Sequence, residues 1–391
     1  MQADFHYYAT YSAAALAGFS HDECMKICYG AQLVDLCSRS FLNALSAPPE
    51  AATTMLRLEL MDALTDYAGL CSITRIWSSF HFLPRDLYAK RNGSRRYMNK
   101  YRLICGPDGP LVSDTVENAK GQGEEAIGIA MHVIADTWAH AYFAGTPSLV
   151  INNTTDDFYE IVCDEAGEHE EKINFRHRPT GEDDIEGRQF TNSLYQRGEH
   201  SVMNLGHGRA GHLPDYSYIT YRYMPAWADY RVVVKDNPSD YLKAFGQMIH
   251  AMRYLRGEIP SFEVGAYEPE AIAPYEEKIR SILCRRQLIA SDDWKEFGEA
   301  LTGEHIEDFD LDKYRDGYIN AAGSEKDSTY LGRFFSAATR HKGMVCSRIS
   351  EAGIPLVGNI MVHPALGNIT VHPALGKLAE RAVERREAGK R

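Results

Sequence analysis

The chain has no apolar run approaching the roughly 18 residues that span a bilayer, so no transmembrane segment is expected. No CxxC pair occurs among its eight cysteines, Cys24, Cys28, Cys37, Cys71, Cys105, Cys163, Cys284 and Cys346. That scatter favours buried free thiols over a disulfide framework or a thiolate zinc site. Positive charge is also short. Lys and Arg total 42 against 54 Asp and Glu, a formal charge of −12. Duplex binders need a basic face, so long nucleic acid is not an expected partner. The start, Met1-Gln-Ala-Asp-Phe-His-Tyr-Tyr, lacks the basic region and apolar stretch of a secretory signal, and the expected location is cytoplasmic. One stretch departs from the acidic balance: Arg85, Lys90, Arg91, Arg95, Arg96, Lys100 and Arg102 stand against Asp86 alone. A basic strip suits a phosphate-bearing substrate, with Arg91, Arg95 and Arg96 as candidates to hold it; a solvated surface is the plainer reading.

What the chain does have is the composition of a globular protein, 44% hydrophobic and 25% charged. Helical patterns dominate. Ser20 and Glu23 form a capping box before an apolar helix, and Leu and Met recur at helical spacing over 53–70. The clearest helix is expected over 119–143, where Ile127, Ala130, Val133, Ile134, Thr137 and Trp138 keep a three-and-four rhythm. Further helices are expected over 239–256, 274–288, 291–301 and 328–349. Only 148–152 and 230–234 read as strands, so the expected fold class is all-α. A helical domain over 1–257 would carry a polar excursion at 167–199, a long loop of the kind that usually has a role. A helical C-terminal extension over 258–391 would pack on it and end in a tandem repeat at 359–376, Asn-Ile-Met-Val-His-Pro-Ala-Leu-Gly followed by Asn-Ile-Thr-Val-His-Pro-Ala-Leu-Gly.

The residues that carry chemistry begin with His132, Asp136 and His140. Four-residue steps place them on one ridge of a helix. Two imidazoles and a carboxylate offer the nitrogen and oxygen donors that a divalent transition metal takes. The surrounding apolar residues turn this ridge inward, where charge is costly without a partner. A buried His–Asp clamp is the rival reading. Other residues of ligand type stand in apolar or glycine-rich settings: Asp4 and His6 in Asp4-Phe-His-Tyr-Tyr, Asp35, His81, and then His207, His212 and Asp215 in the segment from Gly206 to Asp215.

In this order the residues resemble the helical superfamily of zinc-dependent phospholipases C and S1/P1 nucleases, over about residues 1–216. The opening Asp-Phe-His-Tyr-Tyr also resembles a bacterial family known only as a domain of unknown function. The superfamily resemblance implies a helical fold and two or three zinc ions. One would sit at Asp35, His81, His132 and Asp136, a second at His6 with Asp136 as the bridge. A third would use His140 with Asp215 and either His207 or His212. It further implies hydrolysis of a phosphodiester or a phospholipid-like small substrate, with Asp35 orienting the attacking water or acting as its base. The spacing departs from the superfamily in three places. Five residues precede His6, where the enzymes open on a metal-binding amine, and Asp4 is the candidate substitute ligand. His140 follows Asp136 by four residues rather than six, and neither His207 nor His212 keeps the usual four-residue step to the acid. The same donors also accept iron or manganese, so a redox metalloprotein and a metal-stabilised binding protein are the alternatives.

Overall fold

Helical spacing of apolar residues accounts for most of the regular structure in the computed structural model, which describes residues 1–64, 67–90, 98–99, 101–165, 167–177, 182–193, 205–354, 361–362 and 369–370. A π-helical turn, Asp4–Ala9, runs directly into α1, Thr10–Leu16. The expected capping box of Ser20 and Glu23 is formed at the start of α2, His21–Leu33. After α3, Arg39–Ala44, the stretch expected as one helix over 53–70 divides into α4, Arg57–Ala63, and α5, Tyr67–Phe80. Then come α6, Pro110–Ala119, and α7, Glu124–Ala139. The later helices are α8, Asn237–Arg256, α9, Glu276–Cys284, α10, Ser291–Thr302, α11, Arg315–Asn320, and α12, Tyr330–Glu351.

Every residue of α7 from Glu125 onward is buried, as befits a helix enclosed on all sides. Its partner α2 approaches closely because Gly128 has no side chain. A Cβ there would lie 2.5 Å from the Ile27 carbonyl oxygen and 2.8 Å from the Ala31 nitrogen. One apolar cluster joins Phe5 and Tyr7 of the first turn to Met131 of α7, Phe245 of α8, Trp294 of α10 and Phe334 of α12. The C-terminal helices therefore share the core of the N-terminal ones.

The all-α expectation is overturned. The chain is 53% helical, and it also carries a four-stranded antiparallel sheet and a small parallel pair, so the fold is mixed α/β. The sheet runs β2-β1-β5-β6, with β1 at Tyr159–Asp164, β2 at Gly167–Lys172, β5 at Thr220–Tyr223 and β6 at Val233–Asp236. The parallel pair joins β3, Asn174–Arg176, to β4, Gln189–Thr191. Much of the expected polar excursion is thus strand. β2 reads Gly-Glu-His-Glu-Glu-Lys and is an edge strand mostly open to solvent, so its composition hides it. The run 148–152, expected as a strand, instead forms a helical turn, Leu149–Asn152. The sheet covers a second core in which Phe158, Tyr221 and Tyr223 meet Phe82, Phe143 and Leu213. Among the described residues no helix is long and apolar enough to cross a membrane.

Candidate metal centre

The ends of three helices, the opening π-helical turn and one loop meet at one cluster. Asp35 lies just beyond α2, His81 follows the last residue of α5, and His140 follows the last residue of α7. His6 comes from the opening π-helical turn, and His207 and Asp215 come from the glycine-rich loop. His132 and Asp136 lie inside α7 and are 0% and 1% exposed. Three groups have ligand atoms that all lie within 4.8 Å of one another: His6–Asp35–His132, His81–His132–Asp136 and His140–His207–Asp215.

Backbone carbonyls fix how the imidazoles face. His132 Nδ1 stands 2.9 Å from Ala31 O, His81 Nε2 3.1 Å from Thr53 O, His140 Nδ1 2.6 Å from His81 O, and His207 Nδ1 2.6 Å from Gly211 O. A carbonyl oxygen only accepts, so each of these nitrogens carries the proton. In the neutral ring the other nitrogen is then a bare lone pair. Those lone pairs point inward. His132 Nε2 is 3.3 Å from His81 Nδ1 and 3.2 Å from Asp136 Oδ2, and His81 Nδ1 is 3.1 Å from the same oxygen. His140 Nε2 is 3.1 Å from Asp215 Oδ1, and His207 Nε2 is 3.6 Å from Asp215 Oδ2. His6 stacks on His132 at 3.8 Å, and neither of its buried ring nitrogens has a hydrogen-bond partner. Acceptors facing acceptors in a buried space repel unless a cation lies between them. Ring nitrogens tied outward to carbonyls are also the usual outer support of metal-binding histidines. The donor set therefore fits a divalent metal.

A cation not foreseen from the sequence enters the cluster, the α-amine of Met1. It donates to Asp136 Oδ1 at 2.7 Å and lies 3.3 Å from both Asp215 Oδ1 and His140 Nε2. Burial opposes its charge, but Asp136, Asp215 and Asp35 outweigh that and raise its pKa to about 11. Burial likewise works against ionised Asp136, yet the surrounding imidazoles, His140 first, and the Met1 amine hold its pKa well below the ordinary carboxylate value. Asp215 is held low against burial by His207, the amine, His140 and His212. Burial lowers His6 to about 4, aided by repulsion from His132. It lowers His207 to about 4 as well, against the attraction of Asp215.

Of the two alternatives in the glycine-rich loop, His207 joins a ligand group. His212 pairs with Asp215 Oδ2 at 3.2 Å but belongs to no group, and its side chain is 59% exposed. Asp4 is not a substitute ligand. One of its oxygens accepts from its neighbour Phe5 N at 2.8 Å and the other from Ala290 N at 2.9 Å, so it anchors the first turn. Arg91, Arg95 and Arg96, and most of the tandem repeat with His363 and His372, lie outside the described residues. Asp35 is the open member, with 29% of its side chain exposed beside neighbours that are nearly sealed. All eight cysteines are free thiols.

Residues 1–349 match the model of a family described as Family of unknown function (DUF6765). No curated protein and no solved structure matches the chain.

Proposed function

We propose that this chain, which belongs to the family of unknown function DUF6765, is a metal-dependent hydrolase of phosphate esters. The observation that carries the reading is the set of inward-facing, carbonyl-pinned imidazoles around Asp136, whose two oxygens face different partners. Oδ1 faces His6 and the Met1 amine, while Oδ2 faces His81 and His132. That split suits a bridging carboxylate between two positions, zinc being the proposed ion. Clustered divalent ions lower the pKa of a bound water to about 7 and stabilise charge on a phosphoryl group.

The chain's own residues supply the remainder. Asp35 is a partly open carboxylate, 3.8 to 4.0 Å from ring nitrogens of His81 and His6, so it is placed to orient an incoming water and take its proton. Thr53 O holds the His81 ring and Ala31 O the His132 ring, so neither has to reorganise during reaction. The partial exposure of Asp35 beside buried neighbours suits a small or lipid-like phosphate substrate. The free thiols agree with a cytoplasmic setting, which we also propose.

Metal analysis of the purified chain, with and without chelation, combined with hydrolysis of bis(p-nitrophenyl) phosphate tests this reading. Two or three zinc ions, with activity lost on chelation and restored by zinc, is the expected result. Iron with oxygen consumption, or a fully loaded protein inert towards phosphate esters, overturns the hydrolase.

A further inference from the structure

The C-terminal helix α12 packs against α5 and α7, and two consecutive residues on it reach the support of a single ligand. His341 is buried, and its Nε2 donates to the Ser79 carbonyl at 2.8 Å. Ser79 lies in the last turn of α5, where carbonyls have no intrahelical donor, two residues before His81. Lys342 Nζ donates to the Ala52 carbonyl at 2.9 Å. The next residue, Thr53, gives its own carbonyl to His81 Nε2. Thr53 also ties back to both sides of Asp35: its hydroxyl donates to Val34 O at 2.6 Å and its amide to Cys37 O at 2.9 Å. A short piece of backbone, 52–53, thus joins α12 to His81 and to Asp35 at once.

We infer that His341 and Lys342 are positioning residues for the His81–Asp35 side of the centre, so that the C-terminal helix sets metal affinity there. The inference rests on the metal-centre reading above. It gives the helical C-terminal region a task that neither packing nor the ligand set requires. Lys342 holds the peptide just before the one whose carbonyl orients the imidazole, and His341 holds the helix end that carries it. On the other side, His207 takes its outward support from Gly211 O, independent of α12, while His140 leans on His81 O at the same helix end.

The test uses the full chain and zinc alone, by equilibrium dialysis against chelator-buffered zinc at a temperature where circular dichroism shows each variant folded. Lys342→Met and His341→Leu are expected to weaken part of the zinc isotherm by about tenfold to a hundredfold, the range for outer-shell support. His341→Gln, whose amide still donates to Ser79 O, is expected to keep wild-type binding. In a His81→Ala background, Lys342→Met should cause no further loss, because the lysine acts through that imidazole. A merely structural role predicts a lower Tm with an unchanged isotherm, and that result overturns the inference. Equal weakening with and without His81 overturns it as well. Wild-type protein that binds no zinc overturns the metal centre itself, which separates the two failures.

Discussion

Asp136→Asn tests the centre most directly, because the substitution keeps the side-chain volume and removes the charge on which both halves depend. The carboxylate stands 2.7 Å from the Met1 amine, 3.2 Å from His6, 3.1 Å from His81 and 3.2 Å from His132. At an effective dielectric near 20, two unit charges at 4 Å interact by about 4 kcal/mol, and a divalent ion doubles that to about 8 kcal/mol. Setting about half against desolvation leaves about 4 kcal/mol, close to a thousandfold in affinity for each ion it touches. The assay is zinc content by plasma mass spectrometry after dialysis against buffered zinc. The metal-free variant should also be less stable by about 3 to 5 kcal/mol, since the buried ammonium of Met1 loses its main partner. An Asp136→Asn variant that binds zinc like wild type refutes the bridging role and with it the proposed arrangement.

Residues added ahead of Met1 convert its amine to an amide and must thread into a buried space between Asp136 and Asp215; such a chain is expected to lose zinc affinity, whereas a C-terminal extension is not, as paired dialysis measurements will show. Gly128→Ala forces a Cβ to within 2.5 Å of Ile27 O, which should cost about 1 to 3 kcal/mol in urea unfolding and weaken zinc binding by shifting the Ala31 carbonyl off His132. His341 is neutral in the fold because burial lowers its pKa to about 4 from the ordinary 6.5. Between those values the unfolded chain binds the extra proton, so stability is full above about pH 6.5 and falls as pH drops towards 4, by up to about 3 kcal/mol. Metal-free His341→Gln should show a correspondingly shallower loss than wild type in urea titrations across that window, and identical slopes would refute the assignment.

The centre was legible where ligand-type residues interrupt strongly apolar helical text. His132 and Asp136 stand in a helix whose other residues declare burial, and Asp35 and His81 follow apolar helices. What could not be read was anything decided by backbone path. The glycine-rich loop offered His207 and His212 equally. Positive φ angles at Gly206 and Gly211 turn His207 inward, and Gly206 packs so closely on Phe82 that a Cβ would sit 2.2 Å from its ring. The Met1 amine left no pattern beyond an unusually aromatic, buried first turn. The sheet was missed because its strands are short or polar; β5 is only Thr220-Tyr-Arg-Tyr, with alternate tyrosines buried. The β-branched run at 148–152 failed as a strand because Asn152 bonds back to Ala144 O at 3.2 Å and Thr146 O at 2.9 Å, closing a turn. Tertiary contacts outweigh a propensity spread over so few residues.

Charge bears on whether the proposed centre only ties helices together or handles an anion. α2, α5 and α7 all end at the cluster, and a helix C-terminus carries about half a negative charge. Asp35, Asp136 and Asp215 add three carboxylates, against which the Met1 amine is the one cation besides histidine paired with them among the described residues. No array of this sign holds a phosphate by itself. Two divalent ions would bring four positive charges against the three carboxylates and the helix ends, close to balance, so that an anionic phosphate would no longer be repelled. A tie between helices has no need of a carboxylate left 29% exposed. Asp35→Asn therefore separates the two roles. In a hydrolase it should cut turnover by about a hundredfold or more while most zinc remains bound through the buried ligands. Loss of zinc in proportion to activity would instead make Asp35 a ligand whose exposure serves no reaction.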